Sequence, residues 1–320
     1  MFTEVQNKQW CRMGPRAMFG QFMLNLVKKN NKLLVLSADL GRSSGLDRFK
    51  KEFPKNYLSV GISEQNMIGV ASGLAREGFK VFVTSFAPFL SMRASEQVRM
   101  NLGYMKHSVN LVALGSGVTM GYLGNSHYGL EDLAVMRSIP NISISSPCDC
   151  AELNKILQDY TFNERGPSYI RLTGVPGSSH VYSKNYRYKF GKYVDLLNGS
   201  KALAISTGSV TGEAFKAIKK LNLKSAGIKL LNLHTIKPLD NDILSQIKMY
   251  QKIITIEEHS INGGLYSAIS DLLTKNNFNR KVMPLSLSDK FSANGKYNYL
   301  LNVHNLNEKK IEKKILNFLK

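Results

Sequence analysis

The sequence predicts an α/β chain folded as two doubly wound domains. Three observations carry that prediction. Short apolar, β-rich runs alternate with helical stretches through all 320 residues, a single polar, turn-rich stretch interrupts the alternation, and no internal repeat or low-complexity segment points elsewhere. A hydrophobic content of 43% with 9% aromatics describes a globular chain, long enough for two full cores.

In the first unit the runs 33–37, 58–62, 80–84, 109–114, 142–145 and 169–172 are short, apolar and bounded by turn residues, so they read as strands. Between them, 17–29, 65–76, 91–101, 130–138 and 149–159 read as helices. The stretch 174–192 is the polar break. Beyond it, 202–206, 226–232, 252–257 and 282–287 read as strands and 212–221, 240–249 and 263–275 as helices. The domain boundary is expected near residue 188, giving domains 1–187 and 188–320. The ending LNEKKIEKKILNFLK carries Ile311, Ile315, Leu316 and Leu319 at near-helical spacing, which predicts a solvated amphipathic terminal helix.

The formal net charge is +20, yet the lysines are scattered among polar turns and helix faces, so no nucleic-acid grip is expected. No apolar stretch has the length to span a bilayer, and the amino terminus lacks the apolar core of a signal peptide; the expected location is cytoplasmic. Cys11, Cys148 and Cys150 form neither a disulfide framework nor a metal quartet and read as structural thiols.

The most informative residue is Glu64, the one carboxylate in VGISEQNMIGVASGLA, at an expected strand-to-helix turn. A carboxylate there either caps the helix or stands half-buried where a partner holding a proton can bind, and this stretch alone leaves both readings open. With SADLGRSSGL before it and SFAPFLSMRASEQVR and NSHYGLEDLAVMRSIPN after it, the segment resembles the pyrimidine-binding domain of transketolases, which deoxyxylulose-phosphate synthases and the beta subunits of 2-oxoacid dehydrogenases share. EEHSINGGLYSAISDLL resembles the family's C-terminal domain, so the resemblance covers nearly the whole chain.

What the resemblance implies is specific. The cofactor is thiamine diphosphate, whose aminopyrimidine is activated by a protonated carboxyl group on its ring nitrogen, and Glu64 matches that group. Phe86 and Phe89 match the aromatic wall of the pyrimidine, with Met92 as a softer third member. Asp39 and Leu40 match positions beside the cofactor. His127 matches the histidine over the cofactor that also contacts the substrate oxygen, and Arg16 and Ser43 match substrate phosphate contacts. His259 receives no catalytic role and is expected to be solvated or at an interface.

Departures from the family matter equally. Where transketolases place a histidine, an acidic residue and an arginine around the donor sugar phosphate, this chain has Gly115, Leu123 and Gly174. Arg171 lies three residues before the last of these and is not counted as a substitute. The Gly-Asp-Gly motif that holds the diphosphate through Mg2+ or Ca2+ does not occur in the sequence. The resemblance therefore implies the C-terminal half of a split transketolase, with a separate N-terminal subunit carrying the diphosphate and metal motif. A homodimer contact and a sugar substrate follow from it. Two alternatives stand beside a ketol transferase: a subunit that decarboxylates a 2-oxoacid and transfers the acyl unit, and a noncatalytic assembly subunit.

Overall fold

The computed structural model describes residues 2–320, which form two helix-covered sheets. The first half begins with helices α1 (Glu4–Met13) and α2 (Pro15–Val27), followed by strand β1 (Leu33–Ser37), α3 (Asp47–Glu52), β2 (Tyr57–Ser59), α4 (Glu64–Arg76) and β3 (Lys80–Phe86). A helical run then contains π turns over Phe89–Arg93 and Val98–Tyr104 on either side of a single α turn, α5 (Ser95–Gln97). The half closes with β4 (Val109–Leu114), α6 (Asp132–Ser138), β5 (Ser143–Ser145), α7 (Cys150–Phe162) and β6 (Ser168–Arg171).

The second half comprises β7 (Val194–Leu197), β8 (Ala202–Ser206), α8 (Thr211–Asn222), β9 (Ile228–Asn232), β10 (Thr235–Lys237), α9 (Ile243–Lys248), β11 (Lys252–Ser260), α10 (Leu265–Lys275), β12 (Lys281–Leu287), α11 (Tyr297–Val303) and α12 (Glu308–Leu319). The strand order of the first sheet is β10-β5-β6-β4-β3-β1-β2, parallel except for β10, which pairs antiparallel with β5. That of the second is β12-β11-β8-β9-β7, parallel except for the edge strand β7. Each sheet is packed on both faces, which explains why the central strands read as unbroken apolar runs.

The sequence reading contains neither α1, α3, α11, β7 nor β10. β10 is the informative one, because it takes a strand from the second half to the edge of the first sheet. The polar break is an ordered strap: Asp149 accepts hydrogen bonds from the Val181 and Tyr182 amides at 2.9 Å and 3.0 Å, and Glu152 from the Tyr182 and Tyr186 hydroxyls at 2.9 Å each. Ile311 and Ile315 of α12 are buried in the second domain's core, so the terminal helix lays its apolar stripe there. The three thiols are buried and unpaired. Among the described residues, no helix is long and apolar enough to cross a membrane.

A buried polar seam joins the halves. Arg171, 1% exposed, pairs with Asp132 at 2.9 Å and donates to the carbonyls of Gly129 and Glu258 at 3.1 Å and 2.8 Å. Of the two places expected for His259, solvent or an interface, the structure shows the second: it is fully buried in this seam. Its Nε2 accepts from the Leu133 amide at 3.1 Å while Nδ1 lies 2.8 Å from the Ser260 carbonyl, so the ring is neutral with its proton on Nδ1. Burial lowers its pKa to about 4, in keeping with that neutrality.

Candidate active site

The first sheet reverses its strand order between β1 and β3, and a crevice opens at the carboxyl ends of strands where such a reversal occurs. The end of β1 delivers Asp39 and Leu40, the end of β3 delivers Phe86, and β2 leads through Gly61 and Ser63 into Glu64, the first residue of α4. The topology thus brings residues from three separate segments to one place.

Glu64 is 2% exposed. Its Oε1 accepts from the Ser85 hydroxyl at 3.0 Å, and its Oε2 from Arg93 Nη1 at 2.9 Å. It does not cap its own helix: Ser63 occupies the cap position, without a side-chain cap bond. The carboxyl group is therefore held toward the crevice by a buried hydroxyl on one side and a half-exposed guanidinium on the other.

Phe86, Phe89 and His127 form a triangle of edge-to-face rings. Centroid separations are 5.9 Å between the phenylalanines and 5.4 Å and 5.3 Å from each to the histidine. Leu40 packs against the same core as Phe86 and Phe89. His127 arrives on a loop that the second domain fastens: Asn125 and Ser292 exchange hydrogen bonds at 2.8 Å and 3.0 Å, and the Tyr128 hydroxyl donates to Gly121 and Ala293 carbonyls at 2.7 Å and 3.2 Å.

Two expected residues stand differently. Met92 is 43% exposed and packs into neither core beside the crevice. In its place the Arg93 guanidinium lies 4.0 Å from the Phe89 ring centroid. The cause is local: the Ala94 amide bonds to the Phe89 carbonyl, a five-residue step, and this wider turn brings Arg93 back over Phe89. Asp39 is exposed and holds a positive φ of 56°, a strained turn conformation at the mouth of the crevice.

The structure also shows what fills the space of the departed contacts. Gly115 has φ +67°, and a Cβ there would lie 2.5 Å from Met120 Cγ and 2.7 Å from its Sδ. Met120 therefore occupies the room a side chain at 115 would need. Gly174, at φ +88°, would put a Cβ 3.0 Å from both Ser178 Oγ and Ser209 Cβ. Arg16 is half-buried, its one polar contact among the described residues being Met120 Sδ at 3.9 Å, and burial lowers its pKa. Sequence reasoning missed Ser85, Arg93 and Met120. Only Arg93 left a signal, as the lone charge in the run SFAPFLSMRAS.

Among the described residues, no group of three His, Cys, Asp or Glu side chains is placed to hold a metal ion.

Fold and site together define a class: a doubly wound α/β protein with a buried carboxyl group and an aromatic triangle at a strand-order reversal. Comparison with known proteins gives the family. Residues 13–174 match the transketolase pyrimidine-binding domain, and residues 191–311 match the transketolase C-terminal domain. The chain belongs to the transketolase family. It is 35% identical, over 96% of both chains, to a Methanocaldococcus jannaschii protein whose name describes a transketolase C-terminal section. It is 34% identical, over 86% of both chains, to one subunit of the apulose-4-phosphate transketolase of Actinobacillus succinogenes. Among solved structures, a split-gene transketolase described as an inactive beta4 tetramer superposes with a TM-score of 0.85 at 31% identity, covering 96% of this chain and 98% of that one.

Proposed function

We propose that this chain is the C-terminal subunit of a split, cytoplasmic, thiamine-diphosphate-dependent transketolase that moves a two-carbon ketol unit between sugars. Its domains are 1–187 and 188–320. A separate N-terminal subunit carries the diphosphate and its Mg2+ or Ca2+, and two copies of each half make the smallest complete assembly. The single observation that carries this reading is the convergence of Glu64, Phe86, Phe89 and His127 at one strand-order reversal. The names of the relatives, one describing a C-terminal section and the other a subunit, support the division into two chains.

The residues fit the cofactor. A buried carboxyl group and flat aromatic faces side by side suit a ring that stacks and accepts a proton at a nitrogen. Bound there, thiamine diphosphate supplies a carbon nucleophile for the substrate carbonyl. The chain's own part is to present the Glu64 carboxyl to the ring nitrogen, with Ser85 and Arg93 fixing its orientation. Phe86, Phe89 and Leu40 exclude water from the ring. His127 stands ready to hydrogen-bond the substrate oxygen, its Nδ1 lying 3.0 Å from Ser126 Oγ.

The 2-oxoacid reading keeps one supporting observation, the filling of the Gly115 space by Met120, which removes a donor contact expected of sugar-phosphate transketolases. Both readings are tested in the complex reconstituted with its N-terminal partner. Glu64→Gln should lower ketol transfer by about 10²- to 10⁴-fold, the span of general acid–base effects. Full activity in that variant, or turnover by this chain alone, overturns the proposal. Carbon dioxide released from pyruvate, with no transfer from a ketose phosphate, transfers support to the second reading.

A further inference from the structure

One side chain at the crevice holds two places at once. Arg93 Nη1 donates to Glu64 Oε2 at 2.9 Å, and the Arg93 guanidinium carbon lies 4.0 Å from the centroid of the Phe89 ring. Those are the two contacts on which the cofactor reading depends, a carboxyl oxygen to meet a ring nitrogen and a flat aromatic face to stack on. A guanidinium can make both, because it is planar, lies over aromatic faces and carries N–H groups along its edge. A second flat group stacked on that face of Phe89 needs the volume the guanidinium fills, since carbon atoms in contact approach to about 3.5–4 Å.

The position is set by the backbone. The wide turn from Phe89 to Ala94 aims Arg93 back over Phe89, and Leu90, Ser91 and Ala94 around it are fully buried, with Ser91 Oγ donating to the Ala87 carbonyl at 2.7 Å. The end of the side chain is held less firmly. It is 47% exposed, and among the described residues Glu64 is its one ion-pair partner. A half-exposed ion pair and an exposed cation–π contact are each weak, so the guanidinium can pass to water at small cost.

We propose that Arg93 is a positioning residue that stands in for the cofactor's pyrimidine: it keeps the Glu64 carboxyl aimed and the Phe89 face covered, and it gives up both as the ring enters. The inference rests on the thiamine-diphosphate reading and deepens it. Cofactor binding becomes an exchange, in which the Glu64–Arg93 pair opens and the carboxyl and the Phe89 face change partners. The consequence is a reversed sign. Deleting a side chain from a binding site ordinarily weakens binding, whereas deleting a competitor of the ligand strengthens it.

The test titrates thiamine diphosphate, with Mg2+ in excess, into the complex reconstituted with its N-terminal partner and reads the heat of binding. Arg93→Ala should lower Kd about 3- to 30-fold, the worth of the two contacts that no longer have to be broken. Arg93→Lys keeps the charge without the flat stacking group and should lie between wild type and Arg93→Ala. Thermal unfolding gives a second readout: before cofactor is added the Arg93→Ala complex should melt below wild type, and saturating cofactor should close that gap. A Kd unchanged or raised in Arg93→Ala overturns the proposal, because Arg93 then ignores the ring or grips it. If wild type and both variants fail to bind thiamine diphosphate, the cofactor reading falls and the stand-in falls with it, whereas equal binding by all three removes the stand-in alone.

Discussion

Each sheet reverses its strand order where two parallel strands diverge, between β1 and β3 in the first domain and between β8 and β11 in the second, yet the two crevices have opposite fates. At the first, the buried Glu64 carboxyl and the aromatic triangle converge, and among the described residues Arg16 and Arg42 nearby form no ion pair. At the second, the crevice is plugged. Glu258, at the end of β11, accepts from the Val118 amide of the first domain at 2.9 Å and from the Tyr297 hydroxyl at 2.6 Å, with Ser209 Oγ at 3.5 Å. Its neighbour Glu257 is equally committed, capping α10 through the Leu265 and Tyr266 amides at 2.6 Å and 2.8 Å. A strand-order reversal offers a crevice, and side chains decide whether it becomes a site or a clamp. Here the second domain uses its crevice to hold the loop that carries His127.

The comparison breaks first if the seam does not hold. Arg171 and Asp132 are a fully buried pair, and Asp132 also accepts from the Tyr169 hydroxyl at 2.9 Å. Removing the cation leaves a carboxylate with no countercharge. Arg171→Met should therefore cost about 3–5 kcal/mol in denaturant unfolding, whereas adding Asp132→Leu should recover much of that, since the uncompensated charge goes too. A loss near zero in the single variant means that the seam is no clamp.

A smaller effect sharpens the contrast through pH. Burial pushes the Glu258 carboxyl up to about 7, against the opposing influence of the Tyr297 hydroxyl and Arg171. Because the folded state binds this proton more tightly than the unfolded chain, the stability it contributes is complete below its ordinary pKa near 4.5 and is lost as pH rises through about 7. Glu257, also raised to about 7, acts in the same direction, and His259, lowered to about 4, acts oppositely. Both remain in Glu258→Gln, so the difference between wild type and variant isolates Glu258. Between pH 7.5 and 4.5 that difference should shift by about 1–3 kcal/mol in favour of wild type at the acidic end. A parallel pair of stability curves would show that the proton is not held there.

Much of the frame was legible from local pattern, and the remainder depended on distant partners. The apolar runs at 33–37, 80–84 and 109–114 are buried on both faces and announce themselves. Glu64 was legible as the first carboxylate after a strand, since a charge among small residues requires a reason. β10 has three residues followed immediately by Pro238, and it exists because β5 offers an edge across some ninety positions of chain. Nothing local to HTIKP encodes that. Met92 and Arg93 show the same limit at the site. Which of the two faces Phe89 depends on one extra residue in a turn, and periodicity does not register it. For His259, expected to be solvated or at an interface, the sequence does not choose between the two, because a histidine between polar neighbours has no visible partner until α6 is packed against it.

The mildest prediction lies where the two regions meet. Asn125 holds the His127 loop to the second domain through the reciprocal bonds with Ser292, part-buried and each worth about 0.5–1.5 kcal/mol net. Asn125→Ala should lower stability by about 1 kcal/mol, because water replaces part of what is lost at this half-exposed place. Its effect on ketol transfer should be larger than that stability loss accounts for, a fall of several-fold at temperatures where the chain remains fully folded, because a loosened loop no longer fixes His127 against Phe86 and Phe89. Steady-state turnover at two temperatures below the transition, read beside circular dichroism, separates the two contributions. If turnover stays at the wild-type level while stability falls, the clamp serves folding alone, and the plugged crevice of the second domain has no part in placing the histidine.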